Sequence, residues 1–269
     1  MQYRERGPGP RYIRQIRCYW SLEDEPETSM SVEPVVPDGC PEIVFNLAAR
    51  FRRYGLSEKG STQPRSLVSG QLTKGILIGP TGSVDLFGVR FQPAGAFAFL
   101  RHPLSEMTDR IVDLAAIIGN WESLLYEKLA GARSFESRIA IFEQSLHRFS
   151  DRSEVPDELV HAVSQFSMNG ATVGELSYEV GWSIRRLERQ FEKFVGVRPK
   201  MFSRIARFRR LMGKLEVDGI HDLADAALAC GYFDQSHMNH EFKHFTGFTP
   251  LQFMDTAHRI SGHFVSGDL

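Results

Sequence analysis

The stretch GWSIRRLERQFEKFVGVRPKMF (residues 181–202) is echoed downstream by GYFDQSHMNHEFKHFTGFTPLQF (residues 231–253). Gly181 and Trp182 align with Gly231 and Tyr232 at a shift of 50. Phe191, Phe194, Gly196, Pro199 and Phe202 align with Phe242, Phe245, Gly247, Pro250 and Phe253 at a shift of 51. One inserted residue reconciles the two. A repeat of this period is one supersecondary unit written twice. Before each glycine lies a short apolar stretch, with Leu176 and Val180 in the first copy and Ala226, Ala227 and Cys230 in the second. A small residue before the turn lets two helices cross closely, and the glycine can take the positive φ that ends the first of them. Ser183 and Asp234 suit the N-cap of the second helix. Beyond the caps, Leu187, Phe191 and Phe194, like Met238, Phe242 and Phe245, recur at i, i+4 and i+7 and so share a face. Each copy is predicted to be a helix-turn-helix, with residues 199–214 as the basic segment joining them.

Across the whole chain 32 Lys and Arg balance 33 Asp and Glu, and a formal net charge of −1 gives no reason to expect a polyanionic partner. The average conceals a segregation. Between residues 185 and 214 stand eleven basic residues (Arg185, Arg186, Arg189, Lys193, Arg198, Lys200, Arg204, Arg207, Arg209, Arg210 and Lys214) against Glu188 and Glu192, a local +9. A concentrated stripe matters more to a polyanion than the sum over the chain. Taken alone, such a run equally describes a solvated helical face. A single glycine-joined helix pair would also fit a bundle or protein-interaction module with no nucleic-acid role. Two copies in matched register, linked by basic residues, are what favour DNA.

The 269 residues exceed the ~100–200 that one domain commonly holds, so two domains are expected. With 42% apolar and 24% charged residues the chain can bury a core, which excludes collagen-like, disordered and low-complexity classes. No run approaches the ~20 apolar residues of a membrane-spanning helix. No apolar block follows the basic N-terminus, so neither a secretory signal nor a membrane partner is expected. Cys18, Cys40 and Cys230 are odd in number and widely spaced, which argues against a disulfide framework or cysteine zinc site and for a reducing cytoplasm. The first ninety residues read as short strands at 12–22, 34–47 (around the turn Pro37-Asp38-Gly39), 67–70, 76–79 and 84–91. Helical spacing takes over at 94–101, 111–118, 121–129 and 135–149. The polar run 150–154 before Pro156 is the expected linker. The predicted fold is an α+β N-terminal domain over 1–150, a small β-barrel or sandwich plus helices. An all-α C-terminal domain over 155–260 follows, with two helix-turn-helix motifs joined by a linker helix.

The C-terminal residues resemble the AraC/XylS family of bacterial transcription regulators. The carrying stretches are VGWSIRRLERQFEKFVGVRPKMF, RIARFRRLMGKL and ACGYFDQSHMNHEFKHFTGFTPLQF, so the resemblance spans roughly 157–257. In the N-terminal half VVPDGCPEIVFNL, GVRFQPAGAFAFL and PLSEMTDRIVDL are similar to a regulatory domain of one branch of that family. The resemblance implies a cytoplasmic, sequence-specific regulator, not an enzyme, with no cofactor. Its two recognition helices would enter successive major grooves of double-stranded promoter DNA, roughly 34 Å apart. The N-terminal domain would take a small-molecule effector or form a homodimer, and an activator would also meet RNA polymerase. On the first recognition helix Arg185, Glu188 and Arg189 would point outward behind the Ser183 cap, with Arg186 and Gln190 at the flanks. On the second, Gln235, Ser236, His237, Asn239 and His240 would do so. Arginine can bridge guanine, glutamate can accept from cytosine, and glutamine and asparagine suit adenine. Lys193, Lys200, Arg204, Arg207 and Lys243 are expected to hold phosphate or solvent rather than read bases. Two residues depart from the family pattern. His240 stands where the family usually has arginine, which weakens a contact there or ties it to pH near ~6.5. Gly213 lies inside the connecting helix, where glycine costs ~1 kcal/mol relative to alanine and couples the two reading heads less rigidly.

The second recognition helix also spells His240-Glu241-Phe242-Lys243-His244, or HExxH. On a helix, histidines at i and i+4 share a face and can bind zinc beside a glutamate base. A zinc-dependent hydrolase is the alternative this string raises. The extended spacing would need a third histidine where Pro250 stands, so coincidence is the better account. Asp38, Cys40 and Glu42 alternate with period two, as ligands on one strand face would, but Gly39 and Pro41 make a structural turn the simpler reading. Trp20, Phe45, Phe87 and Phe91 could line an apolar effector pocket or simply form the core.

Overall fold

The computed structural model describes residues 2–24, 32–54, 60–146, 155–218 and 223–255. In chain order the strands are β1 (Gln2–Arg6), β2 (Ile16–Asp24), β3 (Glu33–Val35), β4 (Glu42–Asn46), β5 (Phe51–Tyr54), β6 (Ser61–Thr62), β7 (Ser66–Ser69), β8 (Ile76–Pro80), β9 (Val84–Phe91) and β10 (Ile111–Asp113). They form two antiparallel sheets, one ordered β1-β2-β9-β4-β7-β10 and one ordered β3-β8-β5-β6. Strand β9, VDLFGVRF, shows why the larger sheet is covered on both faces. Its Phe87, Val89 and Phe91 lie with Tyr19, Ile43, Phe45 and Val68 in one core. Leu86 points the other way, with Cys18, Trp20 and Leu22, and meets Phe51 and Ile78 of the smaller sheet. Alternation with period two places these groups.

Four helices follow in the N-terminal half: α1 (Ala96–Leu100), α2 (Leu114–Ile118), α3 (Trp121–Ala130) and α4 (Phe135–Leu146). Phe142 of α4 sets its ring edge-on to Tyr19, Phe45 and Phe87 at centroid distances of 6.3, 6.3 and 6.4 Å. Of the two readings of Trp20, Phe45, Phe87 and Phe91, the structure supports core over an aromatic pocket. Phe45, Phe87 and Phe91 are filled core, and Trp20 lies on the opposite sheet face. The helix expected at 111–118 divides at Asp113. Residues 111–113 pair with β7, and the Asp113 carboxylate then accepts from Ala115 N and caps a helix of five residues. Strands β1, β5 and β6 were not foreseen, because short polar edge strands carry little apolar alternation. The linker expected at 150–154 lies outside the described residues.

The C-terminal part is helical throughout: α5 (Asp157–Asn169), α6 (Val173–Glu179), α7 (Ile184–Phe194), α8 (Pro199–Asp218), α9 (Leu223–Ala229), α10 (Gln235–Thr246) and α11 (Pro250–Asp255). The long helix α8 serves two cores. Phe202 packs with Phe166, Leu187, Phe191 and Phe194, whereas Ile205, Phe208 and Leu211 pack with Ala227, Met238, Phe242 and Phe245. Among the described residues no helix is long and apolar enough to cross a membrane.

Gly88 is indispensable where it stands. Trp20 pairs with it across β2 and β9, and a Cβ on residue 88 would lie 1.9 Å from the indole. Gly88→Ala is therefore expected to lower unfolding free energy by about 3 kcal/mol, the upper range for overpacking. Chemical denaturation followed by tryptophan fluorescence measures this, and an unchanged midpoint would contradict it.

Candidate nucleic-acid interface

The two glycine turns are built alike. Gly181 and Gly231 take φ of 65° and 83°. Their amides donate to Tyr178 O and Leu228 O at 3.2 and 3.0 Å. Trp182 N then donates to Ser177 O at 3.0 Å, and Tyr232 N donates to Ala227 O at 2.9 Å. Each second helix is capped as expected. Ser183 Oγ accepts from Arg186 N at 3.2 Å, and Asp234 Oδ1 accepts from His237 N at 2.7 Å. Leu187, Phe191, Met238 and Phe242 are fully buried. That burial orients the opposite faces of α7 and α10 to solvent.

On α7, Ser183, Arg185, Arg186 and Arg189 are exposed, and Glu188 and Gln190 are half-buried. The Arg186 guanidinium lies 4.5 Å over the Trp182 ring, which draws it toward the flank. On α10, Gln235, Ser236, His240 and Lys243 are exposed, while His237 and Asn239 are half-buried. His237 turns back into its own helix start. Its Nδ1 accepts from Phe233 N at 3.3 Å, and its ring meets Tyr232 edge-on at 5.4 Å. Asn239 keeps its Oδ1 buried without a hydrogen-bond partner.

Several basic residues of the stripe serve the fold instead of facing outward. Glu241 is buried at 5% exposure and accepts from Arg204 Nε at 2.7 Å and from an Arg207 guanidinium nitrogen at 2.8 Å. Arg204 and Arg207 therefore pin α8 to α10, which corrects the expectation that they meet phosphate or solvent. Arg209 is buried, and Arg210 donates to Phe166 O and Ser167 O, whereas Arg198 pairs with Glu192 at 2.9 Å on the exposed surface. The same geometry bears on HExxH. Helical period sends His240 and His244 to solvent and Glu241 to the core side with Met238, Phe242 and Phe245, where its oxygens are taken by arginines. That carboxylate is not placed to act as a base beside a histidine-bound zinc. Among the described residues no group of three His, Cys, Asp or Glu is arranged to hold a metal. The three cysteines are buried free thiols, and burial pushes Cys40 up to about 12, so they are held protonated.

How the N-terminal half meets these motifs is visible only in three dimensions. Thr108 Oγ1 donates to Gly196 O at 2.5 Å, at the turn that ends α7. Gly75 N donates to Phe245 O at 2.7 Å, beside the equivalent turn that ends α10. Phe97 sets its ring edge-on to Phe194 at 4.5 Å, and Val36 packs among Ile205 and Phe208. Between these points, Gly39 (φ 83°) lies against Phe202 and Ile205 of α8, where a Cβ would approach the Phe202 ring to 3.3 Å. The contacting loops are tied to one another. Gln71 Nε2 donates to Gly39 O at 2.6 Å, Thr73 Oγ1 donates to Asp109 at 2.7 Å, and Asp109 N donates to Gln71 O at 2.9 Å. The Asp38 and Glu42 carboxylates converge on buried Arg90, at 3.4 and 2.5 Å. The suspected ligand set of the Pro37-Asp38-Gly39 turn is thus an internal ion cluster behind a docking loop. Burial raises the Glu42 carboxyl above its ordinary range although Arg90 opposes the shift.

Residues 176–256 match a family described as a helix-turn-helix domain, and residues 4–113 match a domain of unknown function, DUF6597. The uncharacterised HTH-type transcriptional regulator YbfI of Bacillus subtilis is 31% identical over 135 residues, covering 47% of this chain and 48% of that protein. The chain thus matches about half the length of that curated relative. Among solved structures, ToxT from Vibrio cholerae aligns with a TM-score of 0.47 at 8% identity, over 95% of this chain and 98% of its own. The AraC-like transcriptional activator CuxR aligns with a TM-score of 0.27 at 15% identity, over 75% of each chain.

Removing the Glu241 carboxylate leaves two cationic side chains unpaired at 27% and 21% exposure. Glu241→Ala is expected to cost about 3 kcal/mol of stability, the low end for a broken buried pair because both arginines keep some water. His244→Ala, on the solvent face, is expected to change stability by less than about 0.5 kcal/mol. Urea titration of both variants checks the contrast, and equal effects would contradict it.

Proposed function

We propose that this chain, which joins the AraC-type helix-turn-helix regulators through residues 176–256, is a cytoplasmic, sequence-specific DNA-binding transcription regulator. The observation that carries the reading is the matched pair of capped, glycine-ended helix pairs, each with its polar face in solvent. Residues 155–260 act as the DNA-binding domain and residues 1–150 as the regulatory domain. Arg185, Glu188 and Arg189 read bases in one major groove, and Gln235, Ser236 and His240 read the next. Ser183, Arg186, Gln190 and Lys243 hold the edges of the two contacts, while His237 and Asn239 support the second helix from its flank. Self-association through the N-terminal half, and contact with RNA polymerase where transcription is raised, belong to the same reading.

The N-terminal loops contribute placement. They touch corresponding turns of both repeats, at Gly196 and Phe245, and leave Arg185, Arg189, Gln235 and His240 uncovered. Docking of this kind pre-positions the two heads, so less ordering entropy is lost when both seat on DNA. A small molecule that binds the docked arrangement better would shift the population toward it.

Three outcomes are expected with a fragment selected from random DNA by the full chain. Arg185→Ala or Gln235→Ala lowers the ratio of selected to scrambled duplex affinity by about tenfold, the order of one bidentate base contact. Equal weakening of both duplexes in a gel shift would assign that residue to phosphate instead. Because many stripe arginines are internally engaged, the log–log salt slope should correspond to about five phosphates, roughly −4 to −5; a flat profile would contradict the reading. Gly75→Val, whose Cβ would meet Phe245 O at 2.7 Å, should weaken the selected duplex several-fold with unchanged circular dichroism. Unchanged affinity would remove the N-terminal loops from head placement.

A further inference from the structure

The one residue by which the second repeat exceeds the first is Phe233. Trp182 leads directly into the cap Ser183, whereas Tyr232 is followed by Phe233 and only then by the cap Asp234. Up to the aromatic residue the two turns are alike, since Trp182 N donates to Ser177 O and Tyr232 N to Ala227 O. The extra residue adds nothing to the core. Tyr232 is 3% exposed, and Phe233 is 85% exposed.

Its backbone is nonetheless fixed. Phe233 N donates to His237 Nδ1 at 3.3 Å, and the Asp234 carboxylate accepts from His237 N at 2.7 Å. The adjoining Tyr232 ring is held edge-on by the His237 ring at 5.4 Å and by the Arg207 guanidinium, 4.7 Å from its centre. A phenyl group on a turn tied down in this way is presented to solvent in advance, so covering it later loses little backbone entropy. Singly exposed apolar side chains are ordinary on a protein surface, so exposure alone does not mark a site. Location does. Phe233 borders the N-terminal end of α10, where Gln235 and Ser236 are exposed, and the N-terminal residues of a recognition helix are the ones that meet base edges. The N-terminal half docks at the other end of α10, through Gly75 N and Phe245 O. At ~1.5 Å per residue the 12 residues of α10 span roughly 18 Å, so that docking leaves the Phe233 end open.

A phenyl ring offers phosphate no donor. Of the groups that base pairs display on the major-groove edge, the 5-methyl group of thymine is the apolar one. We propose that Phe233 reads the 5-methyl group of a thymine in the groove that α10 enters. Gln235, one residue beyond the cap, suits adenine, so the two side chains together favour A·T pairs under this end of the helix. The contact rests on the transcription-regulator reading and adds to it a base feature that no hydrogen bond supplies.

The test uses the full chain and a fragment it selects from random DNA, with the thymines replaced one at a time by deoxyuridine, which keeps the base pairing and O4 but lacks the methyl group. In a gel shift at least one replacement is expected to weaken wild-type binding about fourfold, the equilibrium equivalent of one methyl group withdrawn from apolar contact. The same replacement should weaken Phe233→Ala by less than about 1.5-fold, the coupling that a double-mutant cycle reads. That variant should keep the wild-type circular dichroism and melting temperature, because the lost ring stands in solvent. Ile184→Ala, which trims the exposed apolar residue at the start of α7, should retain the fourfold penalty at that thymine. Binding indifferent to every deoxyuridine, or penalties that all survive Phe233→Ala, would overturn the proposal and leave the regulator reading standing on the selected fragment. A Phe233→Ala loss without deoxyuridine sensitivity, as a wedge between base steps would give, would overturn it equally. A chain that retains no DNA sequence would overturn the regulator reading itself, and this contact with it.

Discussion

Everything in the C-terminal half depends on one helix having to satisfy two cores at once. Phe202 of α8 is buried with Phe166 and Phe191, and three residues later Ile205 begins the face that packs with Phe208, Phe242 and Phe245. Each buried aromatic side chain contributes a few kcal/mol, and neither repeat can rotate about α8 without exposing its share. The connecting helix therefore acts as a spacer whose register is set by packing. The expectation that Gly213 loosens the coupling has a counterweight here. Gly213 has open space around its Cα but is flanked by Met212 and Leu215, which are buried in the second core, and the Glu241 pairs with Arg204 and Arg207 clamp α10 to α8 earlier in the helix.

Charge is used for two purposes that the sequence cannot separate by counting. A local +9 suggests a surface for phosphates, yet the structure turns Arg204, Arg207, Arg209 and Arg210 inward or onto carbonyls. Arg185, Arg189, Lys200 and Lys243 are exposed and available to a polyanion. The distinction follows from helical geometry. Positions 204 and 207 share the side of α8 that faces α10, and a buried glutamate there needs cationic partners to be tolerated. The same glutamate disposes of the HExxH string, since a motif is only as good as the direction in which its side chains point.

The repeat, its caps and its core stripe were legible because they are local. Glycine at a positive φ, an N-cap three residues before a backbone donor, and an i, i+4, i+7 spacing all lie within about a dozen residues. Strands β2, β4, β7, β8 and β9 were readable for the same reason, through apolar alternation between turns. The docking of the N-terminal loops was not. Thr108 meets Gly196 across 88 positions of sequence, and Gly75 meets Phe245 through backbone atoms that carry no side-chain signature. Among the recognition residues, His237 and Asn239 read as outward from helical phase alone. The Tyr232 ring and the turn at Phe233 draw the first of them inward.

The central claim is that both helices, α7 and α10, seat together on one face of a duplex. Hydroxyl-radical footprinting of a fragment selected by the full chain, followed by insertion of five base pairs between the protected patches, tests it most directly. The account predicts two patches about one helical turn apart, and a loss of affinity of at least tenfold when half a turn of DNA rotates one patch to the opposite face. A single patch, or affinity indifferent to the insertion, would contradict it.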